Sequence, residues 1–164
     1  MVRTEISLFL KNAPGELGRL AALFAEAGIN IDAITIQDAS NYVKELFKAR
    51  GRSLKRIASA ASYDSMSKDS AEFALIRLLP SEGATDRAMD LLTRHAFVFD
   101  IVPVIAVPMR NRPGRLAQVA GQLGQEGINI NYMYGSSTGE GKEGLLVFCL
   151  DDIDRAARIL QEEA

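Results

Sequence analysis

Two short stretches, Asn12-Ala-Pro-Gly15 and Asn111-Arg-Pro-Gly114, hold the residue types in this chain best suited to gripping a small polar molecule. Each stands between a run of alternating apolar residues and a run with helical spacing. The first turn of a helix exposes N–H groups without intrahelical partners and carries partial positive charge, which suits a carboxylate. Gly15 and Gly114 have no side chain to keep a ligand from the backbone, and Asn12 and Asn111 offer both donors and acceptors. A second asparagine, Asn30 or Asn129, opens the following strand and is expected near the same end of the sheet. Together these groups could hold the carboxylate and ammonium of a free amino acid. The same Asn, Pro and Gly residues also build tight turns with no ligand at all, so both readings stand on the residues alone.

The elements that must position these loops are themselves duplicated. Ile6-Ser-Leu-Phe-Leu-Lys-Asn-Ala-Pro-Gly-Glu-Leu17 returns as Ile105-Ala-Val-Pro-Met-Arg-Asn-Arg-Pro-Gly-Arg-Leu116, and Gly28-Ile-Asn-Ile31 returns as Gly127-Ile-Asn-Ile130. The offset is 99 residues throughout, too long for a solenoid repeat, so the chain carries two copies of one small domain. Ile6, Leu8 and Leu10 alternate as a strand; Leu17, Leu20, Ala21, Phe24 and Ala25 form a helical face; Gly28 ends that helix in a left-handed conformation. Phe73 to Leu79 forms a third strand. Ser81 or Thr85 is expected to cap a helix running to His95, and Phe97, Phe99 and Ile101 close the copy. The second copy opens at Val104, past Pro103, and continues with helix 114–126, strand 128–134, a Gly/Ser-rich turn, strand 145–150 and a helix capped by Asp151 or Asp152.

The β-α-β-β-α-β order predicts an α+β fold: tandem ferredoxin-like domains, 1–102 and 103–164, each an antiparallel sheet with its helices on one face. The second copy has no sequence left for its fourth strand, so its sheet is expected to be short or to be completed by a neighbouring chain. An insertion around 40–70 has no counterpart in the second copy. It is locally basic, with Lys44, Lys48, Arg50, Arg52, Lys55 and Arg56, and reads as solvated helices over a sheet edge or as a docking surface.

Composition narrows the function classes. Net charge is −2 over 164 residues, which gives no global pull toward nucleic acid. No apolar run is long enough to cross a bilayer and no cleavable signal opens the chain, so a cytoplasmic protein is expected. The one cysteine, Cys149, excludes an internal disulfide and leaves no metal-ligand set, and no cofactor is expected. His95 suits a helix C-terminus, and Asp151, Asp152 and Asp154 suit helix capping better than a cation site. Tyr132, Met133 and Tyr134 suit either a pocket wall or sheet packing. No Ser/His/Asp set or phosphate loop is present, so the chain is not expected to be an enzyme.

Lys11-Asn-Ala-Pro-Gly-Glu-Leu17 with Gly28-Ile-Asn-Ile31, and Arg110-Asn-Arg-Pro-Gly-Arg-Leu116 with Gly127-Ile-Asn-Ile-Asn-Tyr-Met-Tyr134, resemble the ACT domain, the small-molecule-sensing module of amino-acid metabolism. The resemblance spans both copies, and the second run is similar to stand-alone tandem ACT proteins that carry no catalytic domain. It implies that ACT units pair side by side, as in a homodimer, and bind amino acids at the interface. The loop of one unit then faces the second-strand region of its neighbour. By position this nominates Asn12, Ala13, Pro14, Gly15, Glu16, Leu17 and Asn30, and Asn111, Arg112, Pro113, Gly114, Arg115, Leu116 and Asn129. Serine-sensing members have a histidine two residues before the loop asparagine, where this chain has Leu10 and Met109. The expectation is an allosteric regulator that senses a small amino acid and acts on a partner enzyme. The alternatives are a regulatory small subunit of an amino-acid biosynthetic enzyme such as acetohydroxyacid synthase, and a transcriptional regulator working through the basic insertion. Without aromatics interleaved among its bases, that insertion makes nucleic acid the less favoured partner.

Overall fold

The computed structural model of the chain describes residues 1–39, 73–137 and 139–161. The basic insertion around 40–70 lies outside the described residues. Among the described residues six strands and four helices follow in the order β1 (Val2–Lys11), α1 (Glu16–Glu26), β2 (Ile31–Asp38), β3 (Phe73–Pro80), α2 (Thr85–Arg94), β4 (Phe99–Arg110), α3 (Arg115–Gln125), β5 (Ile130–Ser137), β6 (Glu143–Leu150) and α4 (Ile153–Gln161). The fold is α+β, as the duplicated pattern predicts. The chain divides into two compact units, Ile6–Ile101 and Met1–Glu5 together with Val102–Ala164.

In the unit Ile6–Ile101, β3 lies between β1 and β2 and is antiparallel to both, with Ile6 opposite Leu78 and Leu10 opposite Ala74. The alternation of β1 sends Ile6, Leu8 and Leu10 to the face covered by the helices. There they meet Ala74, Ile76 and Leu78 of β3, Leu20 and Phe24 of α1, and Ala88, Leu91 and Leu92 of α2. Burying each of the larger side chains contributes about 1.5–3 kcal/mol, which makes this face the unit's main source of stability. Helix α1 stops where the sequence says it should. Gly28 adopts φ 62°, the Ile29 amide donates to the Phe24 carbonyl (2.9 Å) and the Gly28 amide to the Ala25 carbonyl (3.0 Å). This double closure needs a left-handed residue at the turn, which glycine supplies without steric cost. Helix α2 departs from expectation at its start: its N-cap is Ala84, with no side-chain hydrogen bond, rather than Ser81 or Thr85. Ser81 instead offers its backbone carbonyl to the Ala84 amide (2.9 Å).

The other unit repeats the arrangement, with β6 between β4 and β5, antiparallel to each. Ile105, Val107 and Met109 face Val119 and Leu123 of α3, Ala156 and Leu160 of α4, and Phe148 and Leu150 of β6. Helix α4 opens on Asp152, whose Oδ1 accepts from the Arg155 amide (3.0 Å), one of the two caps expected.

Two expectations for this unit are corrected. Its fourth strand is neither missing nor left to a neighbouring chain, because Met1–Glu5, the first part of β1, belongs to it. The Ala106 amide donates to the Met1 carbonyl (2.9 Å) and the Met1 nitrogen donates back to the Ala106 carbonyl, the reciprocal bonding of an antiparallel pair. Nor does Pro103 separate two strands, since β4 runs unbroken from Phe99 to Arg110. The missing N–H of Pro103 costs little, because pairing with β6 begins two residues later at Ile105.

Candidate functional site

Gly15 and Gly114 are the N-caps of α1 and α3, with φ 90° and 86° and ψ −16° in both, so the two loops share one backbone conformation. A residue with a side chain resists that region, which explains glycine at both positions. Neither cap supplies a side-chain acceptor to the helix. The Glu16 amide turns back to the Ala13 carbonyl (3.3 Å) and the Arg19 amide begins the helical ladder at Gly15 (2.9 Å). In the second copy Arg115 bonds Arg112 (3.2 Å) and Gln118 bonds Gly114 (2.9 Å). The amides between them, Leu17 and Gly18 in α1 and Leu116 and Ala117 in α3, find no acceptor among the described residues. Leu17 is 37% and Leu116 46% exposed, so both helix starts lie at the surface. Each pair adds the partial positive charge of its helix end, about half a unit.

The two asparagines behave differently. Asn12 is exposed and makes no side-chain hydrogen bond among the described residues. Asn111 ties its loop to the β5–β6 turn, donating from Nδ2 to the Gly139 carbonyl (3.2 Å). Its backbone bonds Lys142 (2.8 Å) and Gly141 (2.7 Å). Asn111 is thus a brace for the loop, and Pro113, Gly114 and the α3 amides stand clear of it.

Around the second loop the surface is concave. Arg110, Arg112, Pro113, Gly114, Arg115 and Gln118 line an open depression of about 480 Å³. Beside it, a smaller cavity of about 150 Å³ is bounded by Met109 to Arg112, Arg115, Leu116, Ser136 of β5, and Gly144 and Leu146 of β6. Its volume lies below the roughly 300–1,000 Å³ of clefts for drug-sized ligands and is on the scale of one small metabolite. The structure therefore distributes the predicted residues over two neighbouring concavities, Pro113 and Gly114 on the larger, Asn111 and Leu116 on the smaller, and Arg112 and Arg115 on both, and leaves Asn12, Pro14, Gly15 and Leu17 on an exposed turn.

Asn30 and Asn129 are not brought to the loops of their own units, a correction to the expected geometry. Lys11 pairs with Phe73, whereas the Asn30 carbonyl accepts from Ser81 at the other end of β3 (2.9 Å). At about 3.3 Å per residue the two lie roughly 26 Å apart. Asn129 is placed likewise, its carbonyl bonded by Asp151 (3.3 Å), while Asn111 bonds Lys142. The physical reason is the β-α-β path: the helix carries the chain back along the sheet, so the next strand starts where the first one started. Both side chains bond locally, Asn30 to Asp32 and Asn129 to Asn131 (3.2 Å each).

Residues outside the expected set also matter here. Arg110, Ser136, Gly144 and Leu146 complete the cavity walls. In the same unit, Glu5 is fully buried and accepts hydrogen bonds from the Tyr132 and Tyr134 hydroxyls (2.6 and 2.8 Å). Burial, then the hydrogen bond and charge of Glu5, then Cys149, hold the Tyr132 phenol well above its ordinary range, so it stays a donor. That pair, offered in the sequence as pocket wall or packing, anchors the closing strand.

Comparison with known proteins agrees with this architecture. A family model described as "ACT domain pair" matches residues 46–164, and one described as "ACT domain" matches residues 4–47. No curated protein matches the chain. Among solved structures, protein BT0572 from Bacteroides thetaiotaomicron is similar at 26% identity and TM-score 0.70, over 99% of this chain and 89% of that one. The regulatory subunit of aspartate kinase from Thermus thermophilus, in its ligand-free form, shares the fold at 11% identity and TM-score 0.56, over 99% and 95% of the two chains. A structure of aspartokinase alpha and beta subunits does so at 17% and 0.53, over 99% and 94%. With its repeated β-α-β-β-α order and a family match across well over half its length, the chain belongs to the ACT domain pair family.

Proposed function

We propose that the protein is a non-catalytic regulator that binds a small amino acid at its Asn-x-Pro-Gly junctions, with a second ACT unit from another copy of the chain completing the site. The observation that carries this reading is the pair of Leu116 and Ala117 amides, unclaimed within the described chain, at a helix start whose Leu116 lines a cavity of about 150 Å³. A carboxylate accepting both amides gains charge-assisted hydrogen bonds worth about 1.5–3 kcal/mol each, and the helix end adds about 0.3–1 kcal/mol. These terms come to about 3.3–7 kcal/mol before the cost of immobilising the ligand, so a dissociation constant between about 1 μM and 1 mM, which takes about 4–8 kcal/mol net, draws on ammonium and side-chain contacts as well. Regulation then requires that the ligand favour one of two pairing geometries, since equal affinity for both shifts nothing. A partner enzyme is the expected recipient of that shift.

Isothermal titration of the chain with each of the common amino acids tests the proposal. Saturable heat from at least one, in the micromolar to millimolar range, is the expected outcome. Silence from all of them, with the protein folded and at concentrations above the expected dissociation constant, ends it.

A further inference from the structure

The two junctions share a backbone but differ in charge. Lys11, Ala13 and Glu16 of the first copy correspond at the 99-residue offset to Arg110, Arg112 and Arg115 of the second. The first set sums to zero, and its Glu16 is engaged by Arg19. The second carries three guanidiniums, all lining both the depression and the smaller cavity. The side chains of Arg110 and Arg112 are exposed and make no hydrogen bond or ion pair with any described residue. Arg115 is half-buried and donates to Gln118 Oε1 (2.9 Å). Glu143 lies opposite Arg110 across β4 and β6, and Glu140 in the adjoining turn, yet neither lines the cavities or pairs with Arg110 or Arg112. Gathering three cations around one concavity with no carboxylate in its walls costs Coulomb energy that an anion placed among them returns.

The strands behind the loop differ as well. Ile36 and Ala74 of the first copy correspond to Gly135 and Gly144 of the second, by their register against Ile76 and Leu10 and against Leu146 and Met109. A Cβ at Gly135 would collide with the Leu146 side chain, which therefore occupies the space that Ile36 fills in the first copy. With Leu146 leaning over β5 and no side chain on Gly144, the space between β6 and the loop is left open as the smaller cavity.

From this asymmetry we infer that the second junction is specific for an amino acid whose side chain bears its own anionic group, a carboxylate or a phosphate. The inference rests on the proposed amino-acid binding and adds its ligand class. The α3 amides take the α-carboxylate, and Arg110 and Arg112, whose forks suit carboxylate and phosphate alike, take the second anion. The first junction, without that charge, shows no such preference.

The test is competitive calorimetry on the whole chain with L-aspartate, L-glutamate and O-phospho-L-serine against L-asparagine, L-glutamine and L-serine, with inorganic phosphate as a further arm. At least one acidic ligand is expected to bind about tenfold or more tightly than its neutral counterpart. The preferred member identifies the second anion as carboxylate or phosphate. Arg110→Gln with Arg112→Gln, both on exposed side chains, should reduce the preference to about threefold or less, while Lys11→Gln leaves it intact. Neutral ligands binding as tightly as acidic ones would overturn this inference and leave the amino-acid reading standing. So would a preference that survives the double substitution, or inorganic phosphate binding as well as the best amino acid. No binding by any amino acid removes both.

Discussion

Glu5, Tyr132 and Tyr134 provide the sharpest test of how the unit containing the second loop is closed. The Glu5 side chain is fully buried, and two phenol hydroxyls donate to its two oxygens at 2.6 and 2.8 Å. Changing either tyrosine to phenylalanine keeps the ring and its packing and removes one donor. Hydrogen bonds to a charged group are worth about 1.5–3 kcal/mol each, and a buried carboxylate deprived of one has no water to replace it. Each single variant should therefore lose about 2 kcal/mol. The double variant should lose about 3–5 kcal/mol, around the sum of the two, with coupling of up to about 1 kcal/mol because both hydroxyls serve one carboxyl group. Urea unfolding followed by circular dichroism is the assay. With a slope of about 2 kcal/mol/M, each single change lowers the midpoint by roughly 1 M. Hydrogen exchange adds the location, since the Ala106 amide, bonded to the Met1 carbonyl, should exchange faster once the strand holding Glu5 loosens. Midpoints within about 0.2 M of the parent for both single variants would refute the claim that this cluster holds the closing strand.

Three further outcomes follow from the same structure. Tyr132 keeps its proton in the fold at pH values where the unfolded phenol, near pH 10, loses it. Its contribution is complete below about pH 10 and falls by up to about 1.4 kcal/mol per pH unit above it. Urea midpoints of Tyr132→Phe should thus decline less steeply than the parent's above pH 10, and parallel curves would contradict this. At Gly135 an added Cβ would stand 2.8 Å from the Leu145 carbonyl oxygen as well as against Leu146, so Gly135→Ala should cost about 1–3 kcal/mol; an unchanged urea midpoint would show that β5 and β6 can separate. Ala96 carries φ 57° at the end of α2, where the Phe97 and Ala96 amides close on Leu92 and Thr93 (3.0 Å each). A left-handed alanine costs about 1–2 kcal/mol and glycine returns about 0.5–1 of it in chain entropy, so Ala96→Gly should stabilise by up to about 1 kcal/mol, read as a melting temperature higher by a few degrees. A lower melting temperature would count against it.

What could be read before the structure was whatever leaves a local or periodic signature. Ile6, Leu8 and Leu10 announced a strand with one buried face, Gly28 and Gly127 announced helix ends, and the 99-residue offset announced the duplication. The strand Met1–Glu5 gave no such signal. Val2, Arg3, Thr4 and Glu5 show no apolar alternation, and the bonds that join Met1 to Ala106 are backbone bonds across more than a hundred residues. The continuity of β4 was hidden for a related reason: whether Pro103 breaks a strand depends on whether a partner needs its N–H, which only the pairing reveals. Asn30 and Asn129 are another matter. Their separation from the loops follows from β-α-β geometry alone, because the helix between them returns the chain to the end of the sheet where the first strand began. The arginine cluster was invisible to a net charge of −2, because Arg110, Arg112 and Arg115 are balanced by acids elsewhere in the sequence.

The most direct test of the amino-acid-binding account is an ¹⁵N-resolved NMR titration of the chain with the amino acid that gives the largest calorimetric heat. The Leu116 and Ala117 amides should shift together and saturate at the calorimetric dissociation constant, as donors taking up a carboxylate do. If those two resonances stay in place while binding saturates and other amides move, the junction is a turn and nothing more.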